Sequence, residues 1–127
     1  MSDDKCHAFI SNVSIDKDGT LWTADYINDA VHHLSRDGKL EKSFPGTTDE
    51  MCLMPLDICC DEKGLTFVIC TSSKCLYVLN TDCVVIGKLD FEFIPSSVEV
   101  HENMIWIGNM DKNNVNVFSY NMVNKRD

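Results

Sequence analysis

The chain is written three times. Its units open at Val13-Ser14-Ile15-Asp16, Ile58-Cys59-Cys60-Asp61 and Val98-Glu99-Val100-His101, a period of 40 to 45 residues. An aromatic follows nine, nine and then eight residues after the first apolar residue: Trp22, Phe67 and Trp106. Three residues on comes a small or polar stop, Asp25, Cys70 or Asn109. Nine residues past the aromatic stands Val31, Leu76 or Val115, and at twelve stands Leu34, Leu79 or Phe118. Such a period in strand-like sequence specifies stacked modules, each unable to bury its apolar face alone.

Each unit reads as four short strands, a to d. In the first, strand a is Val13–Asp16, with Val13 and Ile15 on one face. Lys17-Asp18-Gly19 forms a tight turn, because Asp-Gly tolerates positive φ. Strand b spans Thr20–Ala24, strand c Ala30–Ser35, and strand d Lys39–Phe44 after the Arg36-Asp37-Gly38 turn. Glu62-Lys63-Gly64 repeats the first turn, and Glu102-Asn103 shortens it. Turn signals at intervals of eight to twelve residues mark an all-β chain. Phe44-Pro45 and Phe93-Ile94-Pro95 are expected to close strand d, since proline cannot donate to a ladder. The longer linker 46–54 is the one insertion in the pattern. Unit three has no good strand d, whereas Lys5–Ile10 precedes Val13 as Asp90–Ile94 precedes Val98. The chain is therefore expected to begin with strand d and end with strand c.

Charge and cysteine content narrow the function classes. The formal net charge is −9, with eleven basic residues scattered among twenty acidic ones. Nucleic-acid affinity rests on Lys and Arg neutralising phosphates, so this surface is unsuited to it. Met1-Ser2-Asp3-Asp4-Lys5 carries no apolar leader, and no run is long enough for a membrane span. A cytoplasmic location with reduced thiols is expected. The seven cysteines have no zinc-site spacing; Cys59-Cys60 and Cys70-x4-Cys75 are not C-x2-C pairs. They are read as small buried hydrophobes.

The residues of unit one resemble an NHL repeat. Val13-Ser-Ile-Asp-Lys-Asp-Gly-Thr-Leu-Trp-Thr-Ala-Asp25, then Asn28-Asp29-Ala30-Val31, His32-His33-Leu34 and Asp37-Gly38-Lys39, follow its pattern of apolar positions, Asp-Gly turns and Asn cluster. Unit two replaces the Asp with Cys70 and the Asn cluster with Ser72-Ser73-Lys74. Unit three keeps Asn109 and Asn113-Asn114-Val115. The resemblance implies β-propeller blades, as in the C-terminal domain of tripartite-motif proteins, where six blades close a ring. Blade 1 is expected at about 11–44, blade 2 at about 55–94, and blade 3 at about 96–121, completed by the N-terminal strand 5–10. Three blades are half of such a ring. Either these residues are a fragment of a longer chain, or two copies join, and a homodimer in which each copy's strand d completes the partner copy's blade 3 fits the second alternative.

Most tempting residues have a scaffold reading. Asp16-Lys17-Asp18-Gly19 has the look of a calcium loop but runs straight into a strand, without the further oxygen ligands such a loop needs. Asp25 and Asn109 read as caps of the b–c loops. His32 and His33 alternate across a strand, so they cannot chelate one ion together. No catalytic triad is legible, and no metal or cofactor is expected. Trp22, Phe67 and Trp106 share one register and read as inter-blade core.

In a four-stranded blade the b–c loops and d–a linkers emerge on one face. Tyr26, Asn28, Met51, Met54, Lys74, Met110 and Lys112 fall there, and Met and Tyr suit an adaptable binding surface. The expected function is a non-enzymatic module that binds a protein or peptide through that face. A calcium-dependent lactonase or esterase of six-bladed form is the second reading, because related propellers hold calcium in the central channel. RNA binding, known among NHL relatives, is the third, and the charge disfavours it.

Overall fold

A computed structural model describes residues 10–45 and 54–120. The N-terminal segment before Ile10, Met51 with most of the long linker, and Cys6 and Cys52 lie outside the described residues. Eleven strands run in the order β1 (Ile10–Ile15), β2 (Leu21–Asp25), β3 (Ala30–Leu34), β4 (Leu40–Pro45), β5 (Pro55–Cys60), β6 (Thr66–Cys70), β7 (Cys75–Leu79), β8 (Val85–Asp90), β9 (Pro95–His101), β10 (Met104–Asn109) and β11 (Asn114–Ser119). They form antiparallel meanders β1–β4, β5–β8 and β9–β11. Among the described residues there is no helix, so none is long and apolar enough to cross a membrane. The chain is all-β, and each sheet has the form of a propeller blade.

The turns follow from local chemistry. Asp16 and Asp61 end the first strands of blades 1 and 2, and each accepts from the backbone two and four residues ahead. Asp18 and Thr20 donate to Asp16 Oδ1 at 2.9 and 3.0 Å. Lys63 and Leu65 donate to Asp61 Oδ1 at 2.9 and 2.8 Å. Gly19 and Gly64 close these turns at φ 84° and 93°, where a Cβ would be strained. The two-residue turn of blade 3 has Glu102 and Asn103 both at positive φ, the geometry that matches strand twist in the shortest hairpins.

The core lies between the blades. β6 is buried on both faces. Val68 and Cys70 turn toward blade 1, where they pack with Trp22, Ala24 and Val31. Phe67 and Ile69 turn the opposite way, onto Val98, Val100, Ile105 and Ile107 of blade 3. The first strands β1, β5 and β9 lie side by side. Polar contacts lash them together: Asn12 Nδ2 donates to the Leu56 carbonyl, the Cys60 amide to Ser14 Oγ, and the Val98 amide to Asp57 Oδ2 at 2.9 Å.

Three expectations need correction. Trp22 and Phe67 are buried at 1% and 0% exposure, but Trp106 is 43% exposed. It keeps the register of the other two, and no fourth blade lies against it among the described residues. Ile10 belongs to β1, opposite Asp25, rather than to a separate N-terminal strand. Residues 91–94, the template for that strand, form a linker after β8. The Phe91 amide donates to the Lys74 carbonyl at 2.9 Å, and the Phe91 ring stacks on Phe93 and tilts against Phe118. Pro95 accordingly opens β9.

Phe67→Ala empties the centre of the blade 2–blade 3 core. It is expected to cost about 3–5 kcal/mol of unfolding free energy, read by urea denaturation. Asp16 adds a pH dependence. Burial raises its carboxyl, but hydrogen bonds from the Thr20 hydroxyl, the Trp22 indole and the Thr20 and Asp18 amides outweigh that and hold it below 3.8. A depressed carboxyl contributes stability that is complete above its unfolded value and is lost as pH falls through its folded one. Stability is therefore expected to decline below about pH 4, and Asp16→Asn should flatten that limb in urea melts.

Candidate functional site

The three b–c loops share one construction. Each has four residues between strands, and the last is left-handed: Asp29 at φ 59°, Lys74 at 53° and Asn113 at 57°. Asp25 caps the first loop. It is fully buried, accepts from the Asn28 amide and from Asn28 Nδ2 at 3.0 Å, and lies 3.1 Å from His32 Nε2. The other ring nitrogen of His32 lies 2.8 Å from Ser43 Oγ. Asn109 caps the third loop, accepting from the Asp111 and Lys112 amides at 2.9 and 3.1 Å. Cys70 occupies the same place in the second, where a thiol cannot cap in this way. There Lys74 donates its amide to the Thr71 carbonyl at 3.1 Å instead. The two histidines do point apart: His33 stacks on Trp22 with centroids 4.1 Å apart.

The loops are fastened to the linkers that enter each blade. The Thr71 amide donates to the Met54 carbonyl at 3.4 Å, and Thr71 Oγ1 to the Pro95 carbonyl at 3.3 Å. The Met54 amide donates to Asp29 Oδ1. The Met110 amide donates to the Ile94 carbonyl at 2.9 Å, and the Ile94 amide to Asp111 Oδ2 at 3.2 Å. Loops and linkers thus emerge on one face, bringing Met54 against the first two loops. Lys74, Met110 and Lys112 are exposed there, as is the Asn28 side chain that braces Asp25, while Tyr26 and Met54 are half-buried. Met51 lies outside the described residues.

A second concavity lies at the opposite ends of the strands. Turn residues of all three blades enclose a cleft of about 320 Å³, lined among others by Lys17, Asp61, Lys63, His101, Asn103 and Tyr120. Lys63 Nζ donates to Asn103 Oδ1 at 2.9 Å. Tyr120 Oη donates to Asp61 Oδ2 at 2.7 Å. Burial, and then this bond, push the Tyr120 phenol well above its ordinary value. The cleft was missed in the sequence because its residues read as turn formers. The Tyr120–Asp61 bond spans 59 residues, which no local pattern signals.

Four of the five described thiols are held in the protonated form, and Cys75 is the exception. The five cysteines among the described residues are free. Burial pushes Cys59 and Cys83 up to about 11, and raises Cys60, which lines the cleft. Donation to Cys75, together with burial, holds Cys70 in its thiol form. Nucleophilic chemistry needs the thiolate, which these surroundings oppose in all but Cys75: donation from Cys70 outweighs burial there and, with Ser73, lowers it to about 6, though Cys75 is fully buried. Among the described residues no three His, Cys, Asp or Glu side chains converge as metal ligands.

No family model matches the sequence, and no curated protein matches it. Solved structures do match. A streptogramin B lyase superposes with a TM-score of 0.68 at 16% identity, over 86% of this chain and 40% of that one. Virginiamycin B lyase from Staphylococcus aureus, with quinupristin, gives 0.71 at 11% identity, over 91% and 42%. BamB from Moraxella catarrhalis gives 0.68 at 12%, over 91% and 33%. The fold is a β-propeller. At these identities the likeness shows the fold alone, and the chain spans about two fifths or less of the length of these structures.

Tyr120→Phe would leave the buried Asp61 carboxylate short of one donor. Hydrogen bonds to charged groups contribute about 1.5–3 kcal/mol. A loss of that order is expected in urea denaturation, and an unchanged midpoint would show that water replaces the phenol without cost.

Proposed function

We propose that the chain is a non-enzymatic interaction module of NHL type that binds a protein or peptide through the b–c loop face. The observation that carries this reading is Lys74. Its register-mates in the other two blades are Asp29 and Asn113, residue types that enter the left-handed region readily. Lysine does not, and holding it there is a cost that the scaffold bears without a visible packing return. Strained residues collect at functional sites because the surrounding structure over-determines them. Lys74 is exposed, with its amide tied to Thr71 and its carbonyl to Phe91, so the ammonium group projects from a fixed base.

Met110 and Lys112 extend the surface on the third loop, where the Asn109 cap fixes the backbone. A face of exposed side chains on braced loops binds without a large ordering cost. The acidic balance of the whole chain favours a protein or peptide over nucleic acid, and the exposed Lys74 and Lys112 on this face suit acidic groups on that peptide.

The test is selection from a displayed peptide library, followed by titration of the recovered peptide. Lys74→Asn is expected to stabilise the fold by about 0.5–1 kcal/mol while weakening the peptide at least tenfold. Met110→Ala and Lys112→Ala should weaken it with unchanged melting. No enrichment of peptides, or full affinity in all three variants, refutes the reading. A calcium-dependent melting shift together with lactone hydrolysis would instead support a hydrolase, and a salt-sensitive RNA shift would support RNA binding.

A further inference from the structure

The three b–c loops differ at their base. Asp25 braces the first and Asn109 the third, each with a side-chain oxygen that accepts loop amides. The second loop, 71–74, has a cysteine at each foot instead. Cys70 ends β6 and Cys75 opens β7. They stand directly opposite each other in the ladder, as Asp25 and Ala30 do in blade 1 and Asn109 and Asn114 in blade 3.

Opposed residues of an antiparallel pair send their side chains to one face, with Cα atoms about 4.5–5.5 Å apart. A disulfide spans about 4.4–6.8 Å between Cα atoms, so this pair can be bridged with little movement of the strands. The two sulfurs already share a hydrogen bond, with Cys70 donating. No other two described cysteines are placed in this way. Cys59 and Cys60 are chain neighbours opposite Phe67 and Thr66, and Cys83 lies in the turn before β8. Both thiols of the pair are buried, but at the end of a hairpin. The hydroxyl of the exposed Ser73 lies 3.3 Å from Cys75 Sγ, so that sulfur is one side chain below the surface. Donation from Cys70 outweighs burial at Cys75, Ser73 and the Lys88 ammonium add to it, and the thiol falls to about 6, while Cys70 keeps its proton. An attacking thiolate beside a resolving thiol is the arrangement of a redox-sensing pair.

We propose that Cys70 and Cys75 form a reversible disulfide across the base of the second b–c loop, with a small peroxide as the oxidant. The Cys75 thiolate attacks one peroxide oxygen and the O–O bond breaks. Cys75 becomes a sulfenic acid, and the departing hydroxide takes up a proton as water. The Cys70 sulfur then attacks the Cys75 sulfur, the S–O bond breaks, and hydroxide leaves with the Cys70 proton as a second water. Two electrons pass from the two thiols to the peroxide. Exchange with a dithiol restores both thiols, the reductant leaving as its own disulfide. The bridge gives blade 2 a brace at the place where Asp25 and Asn109 brace its neighbours. It stands or falls whether or not Lys74 contacts a peptide.

The test treats the folded full chain with hydrogen peroxide, blocks the remaining thiols with N-ethylmaleimide and digests with trypsin in the absence of reductant. Cleavage after Lys63, Lys74 and Lys88 puts Cys70 and Cys75 on separate peptides, 64–74 and 75–88. These are expected to stay joined in most chains and to separate after dithiothreitol. Cys83 shares the second peptide, so Cys83→Ala should keep the joined species and Cys75→Ala should lose it. Alanine already stands at the Cys75 position in blade 1, as Ala30, and circular dichroism checks that both variants fold. Fragmentation of the wild-type species locates the bond independently of either variant. Peptides that stay separate, or that join only when peroxide is added in urea, overturn the proposal. Joining that survives Cys75→Ala, or a bond located at Cys83, overturns it equally.

Discussion

The packing of one blade's forward face on the next blade's back face is the constraint on which everything else rests. A four-stranded meander this small has no interior of its own. Its side chains alternate between two faces, and both must find cover. Blade 2 shows the solved case, with Phe67 and Ile69 buried on one side and Val68 and Cys70 on the other. Blade 3 shows the half-solved case. Trp106 is chemically fit for the core and lies in water because blade 3 has only one neighbour among the described residues.

Polar groups fix what apolar packing leaves loose. Alternation decides which residues face inward, but not the height at which one blade meets the next. Bonds between the innermost strands, such as Val98 to Asp57, set that height. Aspartates at the strand ends meanwhile bind the amides that hairpins leave unpaired, as Asp16, Asp25 and Asp61 do. The loops on both ends of the molecule are consequently stiff. A rigid frame that presents variable loops suits recognition, and a residue such as Lys74 can be kept in a costly conformation only because its neighbours allow no other.

Legibility followed interaction range. The repeat, the hairpin turns, the cap roles of Asp25 and Asn109 and the divergence of His32 from His33 depend on residues a few positions apart, and spacing revealed them. The limits of strand d in blade 2 were misread because Phe91 looks like a strand residue. Its fate was decided by a bond to Lys74 and by aromatic packing on Phe93 and Phe118, partners that only the folded chain brings together. The cleft escaped for the same reason, being assembled from three turns of three blades.

By itself the sequence determined the module, its period and its alternation, because these need only side-chain polarity and turn chemistry. It also placed Trp22, Phe67 and Trp106 at one position. Tertiary structure alone decided that two of the three are buried and one is not, since burial depends on whether a neighbouring blade is present. It likewise decided that Lys74 shares the left-handed position of Asp29 and Asn113. Backbone conformation there is imposed by closing a four-residue loop between paired strands, whatever residue stands in it.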